Sequence, residues 1–102
     1  MNLIATHLID QFCLRHPNAR VSLARWMQVS SAFSFLSFQQ LKKIFPHADY
    51  VAPFTIFNVG GNNYRVISSV KYGTNTLEIR WVFPHAEYDK WARQFRSRKT
   101  KL

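Results

Sequence analysis

The feature that most constrains the fold is a change in hydrophobic period near residue 51. Before this point, apolar residues recur every three or four positions, which is the period of an amphipathic helix. After it, they alternate with polar residues, which is the period of a β-strand. Helices followed by consecutive strands predict an α+β fold, with N-terminal helices packed on a small antiparallel sheet and a short C-terminal helix.

Two helices are predicted in the N-terminal part of the chain, and Ser30-Ser31 loosens the second. The first begins after an N-cap at Asn2 and ends before Pro17, because the residue preceding a proline is disfavoured in the helical region. Its apolar stripe consists of Ile4, Leu8 and Phe12. The second begins from Asn18, and its predicted apolar side consists of Val21, Ala24, Trp26 and Met27.

A short third helix is predicted from a capping box. Ser37 is followed three residues later by Gln40, the spacing at which both side chains can bond backbone groups at a helix start. Pro46 ends this helix. The predicted inward residues are Phe38, Leu41, Ile44 and Phe45.

Three strands of an antiparallel meander are predicted between about residues 52 and 83. They cover residues 54–59, 64–70 and 76–83, and Gly60-Gly61-Asn62-Asn63 forms the first turn. In the last strand, one face is predicted to carry Leu77, Ile79, Trp81 and Phe83. A helix follows from about residue 86 to 96, and residues 1–102 form one domain.

The charge is strongly asymmetric, with 14 Lys and Arg against 5 Asp and Glu and a formal net charge of +9. A polyanion such as RNA, DNA or an anionic membrane is the natural partner of such a field, although a basic protein can also simply be soluble. Six of these positive charges lie between Lys90 and Lys101, which predicts a helix that frays into a mobile basic arm.

Other parts of the sequence indicate a cytoplasmic protein without a membrane partner. Cys13 is the single cysteine, which fits a reducing compartment, and its apolar neighbours predict a buried thiol. No signal peptide and no apolar run of about 20 residues is evident. His7, His16 and His47 are scattered without the spacing of a zinc site, so neither a metal nor another cofactor is predicted.

Groups suited to RNA cleavage are concentrated between residues 58 and 90. RNA carries its own nucleophile, the 2′-hydroxyl, so cleavage needs a base, an acid and positive charge on the phosphate. His85 is the predicted proton shuttle, because imidazole titrates near neutral pH. Tyr88 and Lys90 are reserve donors, and the planar guanidinium of Arg65, or of Arg80, would stabilise the phosphate.

Several residues of this segment also have a structural interpretation. His85 could cap the helix that follows Pro84, and Tyr64 could pack beside the turn. Arg80 could form a solvated ion pair with Glu78. Glu87 and Asp89 lie near the start of a helix, where the dipole favours negative charge.

Several of these elements, in this order, resemble those of the HigB toxins, which are small bacterial mRNA endonucleases of the RelE/ParE-like superfamily. The resemblance is carried by His16-Pro17-Asn18-Ala19, Phe45-Pro46-His47-Ala48-Asp49, Phe57-Asn58-Val59-Gly60-Gly61-Asn62-Asn63-Tyr64-Arg65, Ile79-Arg80-Trp81-Val82 and His85-Ala86-Glu87-Tyr88-Asp89-Lys90.

The resemblance implies a toxin of a type II toxin–antitoxin pair that cuts mRNA during translation on the ribosome. Its partner would be a HigA-like helix-turn-helix antitoxin, and operator DNA would be bound only through the toxin–antitoxin complex. Arg65, His85 and Tyr88 fall where the family's catalytic residues lie. The implied RNA-binding residues are Tyr64, Lys71, Arg80, Lys90, Arg93 and Arg96.

Two other functions compete with this one. A toxin of the same fold can act on a different target, as the ParE branch does on gyrase. A non-catalytic RNA-binding module would also account for the aromatic residues and the basic C-terminal segment.

Overall fold

The computed structural model describes residues 1–100, with side chains described through Arg96. The strands are β1 (Asn2–Ile4), β2 (Asp49–Val51), β3 (Phe54–Val59), β4 (Tyr64–Lys71) and β5 (Thr76–Pro84). The α-helices are α1 (His7–Arg15), α2 (Arg20–Ala32), α3 (Phe38–Ile44) and α4 (His85–Thr100). Short 3₁₀ turns lie at Pro17–Ala19 and Tyr72–Thr74.

The strands form one five-stranded sheet in the order β1-β5-β4-β3-β2. The pairs β2–β3, β3–β4 and β4–β5 are antiparallel, and β1 pairs with β5 in parallel. The predicted α+β class is therefore confirmed, and the sheet is larger than predicted and mixed.

The two faces of the sheet bury different helices. Successive residues of β4 point to opposite faces, and Val66 lies in the main core whereas Ile67 lies in a second cluster. The main core contains Ile9 and Phe12 of α1 and Leu23 of α2. The second cluster joins the sheet to α4, so α4 covers the face opposite to α1 and α2.

Helix α4 is attached to the sheet mainly through aromatic side chains. Trp91 lies at ring-centroid distances of 5.6 Å from Trp81 and 6.0 Å from Phe54, and it stacks on Phe95 at 5.1 Å. Tyr88 lies 5.9 Å from Trp91. Offset and tilted aromatic pairs add to the stabilisation that comes from burial. Much of the aromatic content is therefore used for packing rather than for contact with bases.

A β-bulge at Arg80 changes the faces of β5. Ile67 pairs with Trp81 and Ser68 pairs with Ile79, which leaves Arg80 without a partner residue on β4. A bulge of this kind shifts the alternation of the strand by one position. Leu77 and Ile79 lie in the main core, as predicted, but Trp81 and Phe83 pack on the α4 side. The prediction of one continuous apolar face was therefore wrong.

The N-terminal helix predictions need two corrections. Residues 2–4 form a strand, and α1 begins only at His7, so Ile4 is 43% exposed instead of continuing the helical stripe. In α2, Trp26 is buried as predicted, but Val21 is 80% exposed and Leu23 takes the inward position. Ala24, which was also predicted to face inward, is exposed.

The remaining elements follow the predictions closely. The Ser37 side chain accepts a hydrogen bond from Gln40 N at 3.2 Å, as the capping box requires, although Ile44 is exposed. Cys13 is buried. Helix α4 continues to Thr100, beyond the predicted end near Arg96. The predicted mobile arm depends on side chains after Arg96, which lie outside the described residues.

Among the helices of the described residues, none combines the length and apolar character that a membrane crossing would need.

Candidate nucleic-acid cleavage site

A cleft of about 560 Å³ lies between the α3–β2 connection, strands β3 and β4, and helix α4. Its walls carry the cations Lys42, Arg65, Arg93 and Arg96 and the carboxylates Asp49 and Asp89. Pro46, His47, Ala48, Ile56, Asn58, Tyr88 and Ala92 complete the lining. The excess of cations makes the cleft suited to a phosphate-bearing ligand.

Arg65 lies in the wall of this cleft and is held by the β3–β4 turn. Its Nη1 donates to the carbonyl oxygens of Asn62 and Tyr64 at 3.1 Å each, and its Nη2 donates to Asn62 Oδ1 at 2.7 Å. The guanidinium carbon lies 5.5 Å from the ring centroid of Tyr88. These contacts fix the planar group, while Nε–H and one Nη2–H have no protein partner among the described residues.

The charge of Arg65 is buried without an ion-pair partner. The residue is 7% exposed, and no carboxylate of the described residues lies within ion-pair distance of it. Removing a charge from water without a counter-charge is unfavourable, so a buried cation of this kind attracts an anion strongly. A phosphate group in the cleft would supply the missing negative charge.

Tyr88 brings a neutral phenol to the same cleft. Burial raises the pKa of Tyr88 above its ordinary value of 10.0, and the nearby Asp49 carboxylate adds to this increase. The positive charges of Arg96 and Arg65 oppose it in part. Because the net direction is upward, the hydroxyl remains protonated at neutral pH and is a hydrogen-bond donor rather than a base.

His85 stands at the start of α4 and is oriented by a carboxylate one turn along the helix. Its Nδ1 lies 3.0 Å from Asp89 Oδ2. A neutral imidazole that donates from Nδ1 keeps a lone pair on Nε2, where it can accept a proton. His85 does not line the cleft itself, but Asp89 does, so the pair lies at its rim.

The β3–β4 turn joins the two halves of the site. Asn63 O accepts a hydrogen bond from His85 N at 2.9 Å, while Asn62 holds Arg65. The turn requires φ of +65° at Gly60 and +67° at Gly61, which residues with a side chain rarely adopt. At Gly60, an added Cβ would also lie 3.0 Å from Tyr64 Cδ2. The two glycines therefore allow a turn that binds both the guanidinium and the helix start.

The structure brings some of the predicted site residues together and separates others. Arg65, Tyr88, Arg93 and Arg96 line one cleft. Four residues that were predicted to bind RNA lie outside the cleft, so the cleft does not support their predicted contact with RNA. They are Tyr64, Lys71, Arg80 and Lys90.

Three of these four residues have contacts or strand positions that place them away from the cleft. Tyr64 packs against Phe12 at a ring-centroid distance of 5.7 Å, on the opposite face of the sheet from α4. Lys71 ends β4, about 20 Å along the strand from Arg65 at the usual rise per residue. Arg80 lies over the Trp81 and Phe54 rings and donates to Ser69 Oγ, and among the described residues it does not form the ion pair with Glu78 that was the alternative interpretation.

Sequence reasoning missed the contribution of the α3–β2 connection. Lys42, His47 and Asp49 line the cleft, although they lie outside the strand–turn–strand segment and α4. From the sequence, His47 and Asp49 carried only a family resemblance, and Lys42 was assigned no role. Their spatial approach depends on strand β2, which pairs Asp49 with Ile56 and was not predicted.

Among residues 1–100, the structure describes no group of three or more His, Cys, Asp or Glu side chains that could hold a metal ion.

Known proteins resemble this chain over most of its length. Residues 19–91 match the HigB toxin family, described as the RelE-like toxic component of a toxin-antitoxin system. The mRNA interferase HigB of Escherichia coli O6:H1 is 28% identical over 102 residues, covering 97% of this chain and 99% of that protein. The mRNA interferase toxin HigB of Escherichia coli K12 is 30% identical over 92 residues, covering 87% and 88%. The chain therefore belongs to the HigB family of RelE-like toxins.

Proposed function

We propose that this toxin is an endoribonuclease that cuts mRNA on the ribosome, without a metal ion, and that a HigA-like helix-turn-helix antitoxin neutralises it. Two relatives that match nearly the whole chain are named mRNA interferases, which supports the substrate class. In this proposal, operator DNA is bound only by the toxin–antitoxin complex.

The observation that carries the proposal is the buried Arg65 guanidinium, which has no ion-pair partner among the described residues and lies beside the ring of Tyr88, whose hydroxyl is protonated. Both groups line one basic cleft. A phosphate in that cleft would receive hydrogen bonds from both, and these bonds would strengthen as negative charge accumulates on the pentacoordinate phosphorus. Such an arrangement favours phosphoryl chemistry over simple binding.

The reaction that we propose uses the substrate's own nucleophile. The 2′-oxygen attacks the adjacent phosphorus, the bond from phosphorus to the 5′-oxygen breaks, and the products are a 2′,3′-cyclic phosphate and a 5′-hydroxyl. The 2′-hydroxyl loses its proton to a base, and the leaving oxygen gains one from an acid. His85 Nε2, oriented by Asp89, is the proposed proton carrier, and Tyr88 is the proposed hydrogen-bond donor.

Substrate delivery by the ribosome is consistent with the shape of the site. The cleft is open, and charged side chains make up much of its lining, which suits a phosphate backbone rather than an enclosed base. An open basic site binds RNA through its backbone and carries little sequence information by itself. In this proposal the ribosome presents the codon and orients the scissile phosphate.

The test compares wild-type protein with Arg65→Ala and with Arg20→Ala. Arg20 is an equally charged residue at the start of α2, on the other side of the sheet. Each protein is added to ribosomes stalled on a defined mRNA, and cleavage is measured by primer extension, with free mRNA in parallel. Loss of Arg65 should lower the cleavage rate roughly 10²-fold or more, as loss of an oxyanion donor does. Arg20→Ala should cleave as the wild type does.

Three results would contradict the proposal in whole or in part. Binding of mRNA by the wild type without any cleavage would indicate a non-catalytic RNA-binding module. Arrest of growth with intact mRNA and inhibited gyrase would indicate a toxin of the same fold with another target. Cleavage that is equal on free and ribosome-bound mRNA would remove the ribosome from the proposal and leave the nuclease activity.

A further inference from the structure

We propose that Asn62 is a positioning residue that aims the Arg65 guanidinium at the cleft while leaving its positive charge intact. This inference rests on the proposed function, because it assigns Arg65 to the scissile phosphate. It concerns a residue that does not line the cleft and that acts only through Arg65.

The contacts of Asn62 are directed at Arg65 from two sides. Its backbone oxygen accepts from Nη1 at 3.1 Å, and its side-chain Oδ1 accepts from Nη2 at 2.7 Å. Two acceptors from one residue match the two terminal nitrogens of a planar guanidinium, in the manner of a bidentate carboxylate pair. The group therefore cannot rotate without breaking both contacts.

The side chain of Asn62 is used for this contact rather than for the turn. Asn in a turn commonly either adopts a positive φ or bonds its own backbone. In this turn, the positive φ angles belong to Gly60 and Gly61, and the described bond of the Asn62 side chain goes to Arg65. Asn63 provides the contrast, because its described bonds are made by its backbone alone.

An amide at this position holds the Arg65 guanidinium without neutralising its positive charge. A carboxylate would hold Arg65 at least as firmly, since a charge-assisted bond is the stronger kind. It would also neutralise the guanidinium and remove the attraction for phosphate. The neutral amide supplies the geometry of a carboxylate without its charge, which is what a site for an anionic substrate requires.

The experiment uses Asn62→Ala, Asn62→Asp and, as the matched control in the same turn, Asn63→Ala. Three quantities are measured for each full-length variant: the melting temperature, the cleavage rate with ribosome-bound mRNA, and the Kd for a 2′-O-methyl RNA oligonucleotide that cannot be cleaved. Exchange of the Arg65 Nη protons, followed by ¹⁵N NMR, reports how firmly the guanidinium is held.

The two Asn62 variants should separate position from charge. Asn62→Ala should speed Nη exchange and lower cleavage by about tenfold or more, the scale of loss expected from a misplaced catalytic group. Asn62→Asp should keep the melting temperature and the slow exchange, yet lose cleavage and RNA affinity by a similar or larger factor. Asn63→Ala should resemble the wild type in all three measurements and in the exchange.

Wild-type cleavage and RNA affinity in Asn62→Asp would overturn the inference, because the charge at this position would then not matter. A lower melting temperature in Asn62→Ala with Nη exchange as slow as in the wild type would assign Asn62 to the turn alone. If the wild type cleaves no RNA, the proposed function fails, and the exchange and affinity measurements still decide whether Asn62 positions Arg65.

Discussion

At the scale of single residues, Tyr88 keeps its phenol protonated across the neutral pH range. Burial and the Asp49 charge raise the pKa of Tyr88, so its phenolate is less favoured in the folded protein than in the unfolded chain. The protonated phenol contributes to stability fully below the unfolded pKa of about 10, and this contribution is lost as pH rises through the folded pKa. No gain in cleavage from phenolate formation is therefore expected between pH 7 and about 9.

Tyr88→Phe tests this expectation. The difference in ultraviolet titration between wild type and variant should isolate one phenol that ionises above the ordinary pKa of 10.0. In the pH–rate profile, the Tyr88→Phe variant should cleave about tenfold more slowly at every pH, because the hydroxyl donor is lost. The shape of the profile should stay unchanged. An alkaline limb that disappears in Tyr88→Phe would show that the phenolate acts as a base.

The same scale shows what the sequence could predict of the site. Arg65 and Tyr88 were identified from residue chemistry and from a family resemblance, and both line the cleft. Arg80 was predicted as an alternative to Arg65 for stabilising the phosphate. The bulge at Arg80 instead directs it over Phe54 and Trp81, and no period in the sequence indicates a bulge.

At the scale of secondary-structure elements, the attachment of α4 controls the site. This helix supplies His85, Tyr88 and Asp89, and the aromatic contacts of Trp91 hold it on the sheet. Trp91→Ala should lower the free energy of unfolding by about 2–3 kcal/mol, somewhat less than truncation of a fully buried aromatic residue. Because the loss is local, hydrogen exchange should increase more in α4 than in β3 to β5.

Gln94→Ala provides the control for this prediction. Gln94 is an exposed residue of the same helix, and surface substitutions of this kind usually change stability by less than about 0.5 kcal/mol. Uniform loss of protection across the sheet and α4 in Trp91→Ala would show that the helix does not move as a separate unit.

The elements were predictable where one local pattern determined them. Strand β3 was predicted with the observed limits, and Ser37 caps α3 as predicted, although the Gln40 side chain accepts from Leu36 N rather than from Ser37 N. Strand β1 was not, because residues 2–4 also continue a helical stripe and become a strand only through pairing with β5. That pairing joins positions more than 70 residues apart, so no local pattern reveals it.

At the scale of the whole molecule, the two faces of the sheet divide the cations into a set that lines the cleft and a set that lies across the sheet from it. Arg93 and Arg96 line the cleft on the α4 side, whereas Arg20 and Arg25 are exposed on α2, across the sheet. The net charge of +9 attracts RNA from a distance irrespective of where the charges lie. Direct phosphate contacts, in contrast, release counterions and set the salt dependence of binding.

Two double variants of equal net charge distinguish these effects. Arg93→Ala with Arg96→Ala should reduce the slope of log Kd against log salt concentration by between about 1 and 2 for a non-cleavable RNA. Arg20→Ala with Arg25→Ala removes the same charge and should leave that slope close to the wild-type value, with a small loss of association rate at low salt. Equal slopes for the two variants would mean that RNA binding follows overall charge and that the cleft does not dock the phosphates.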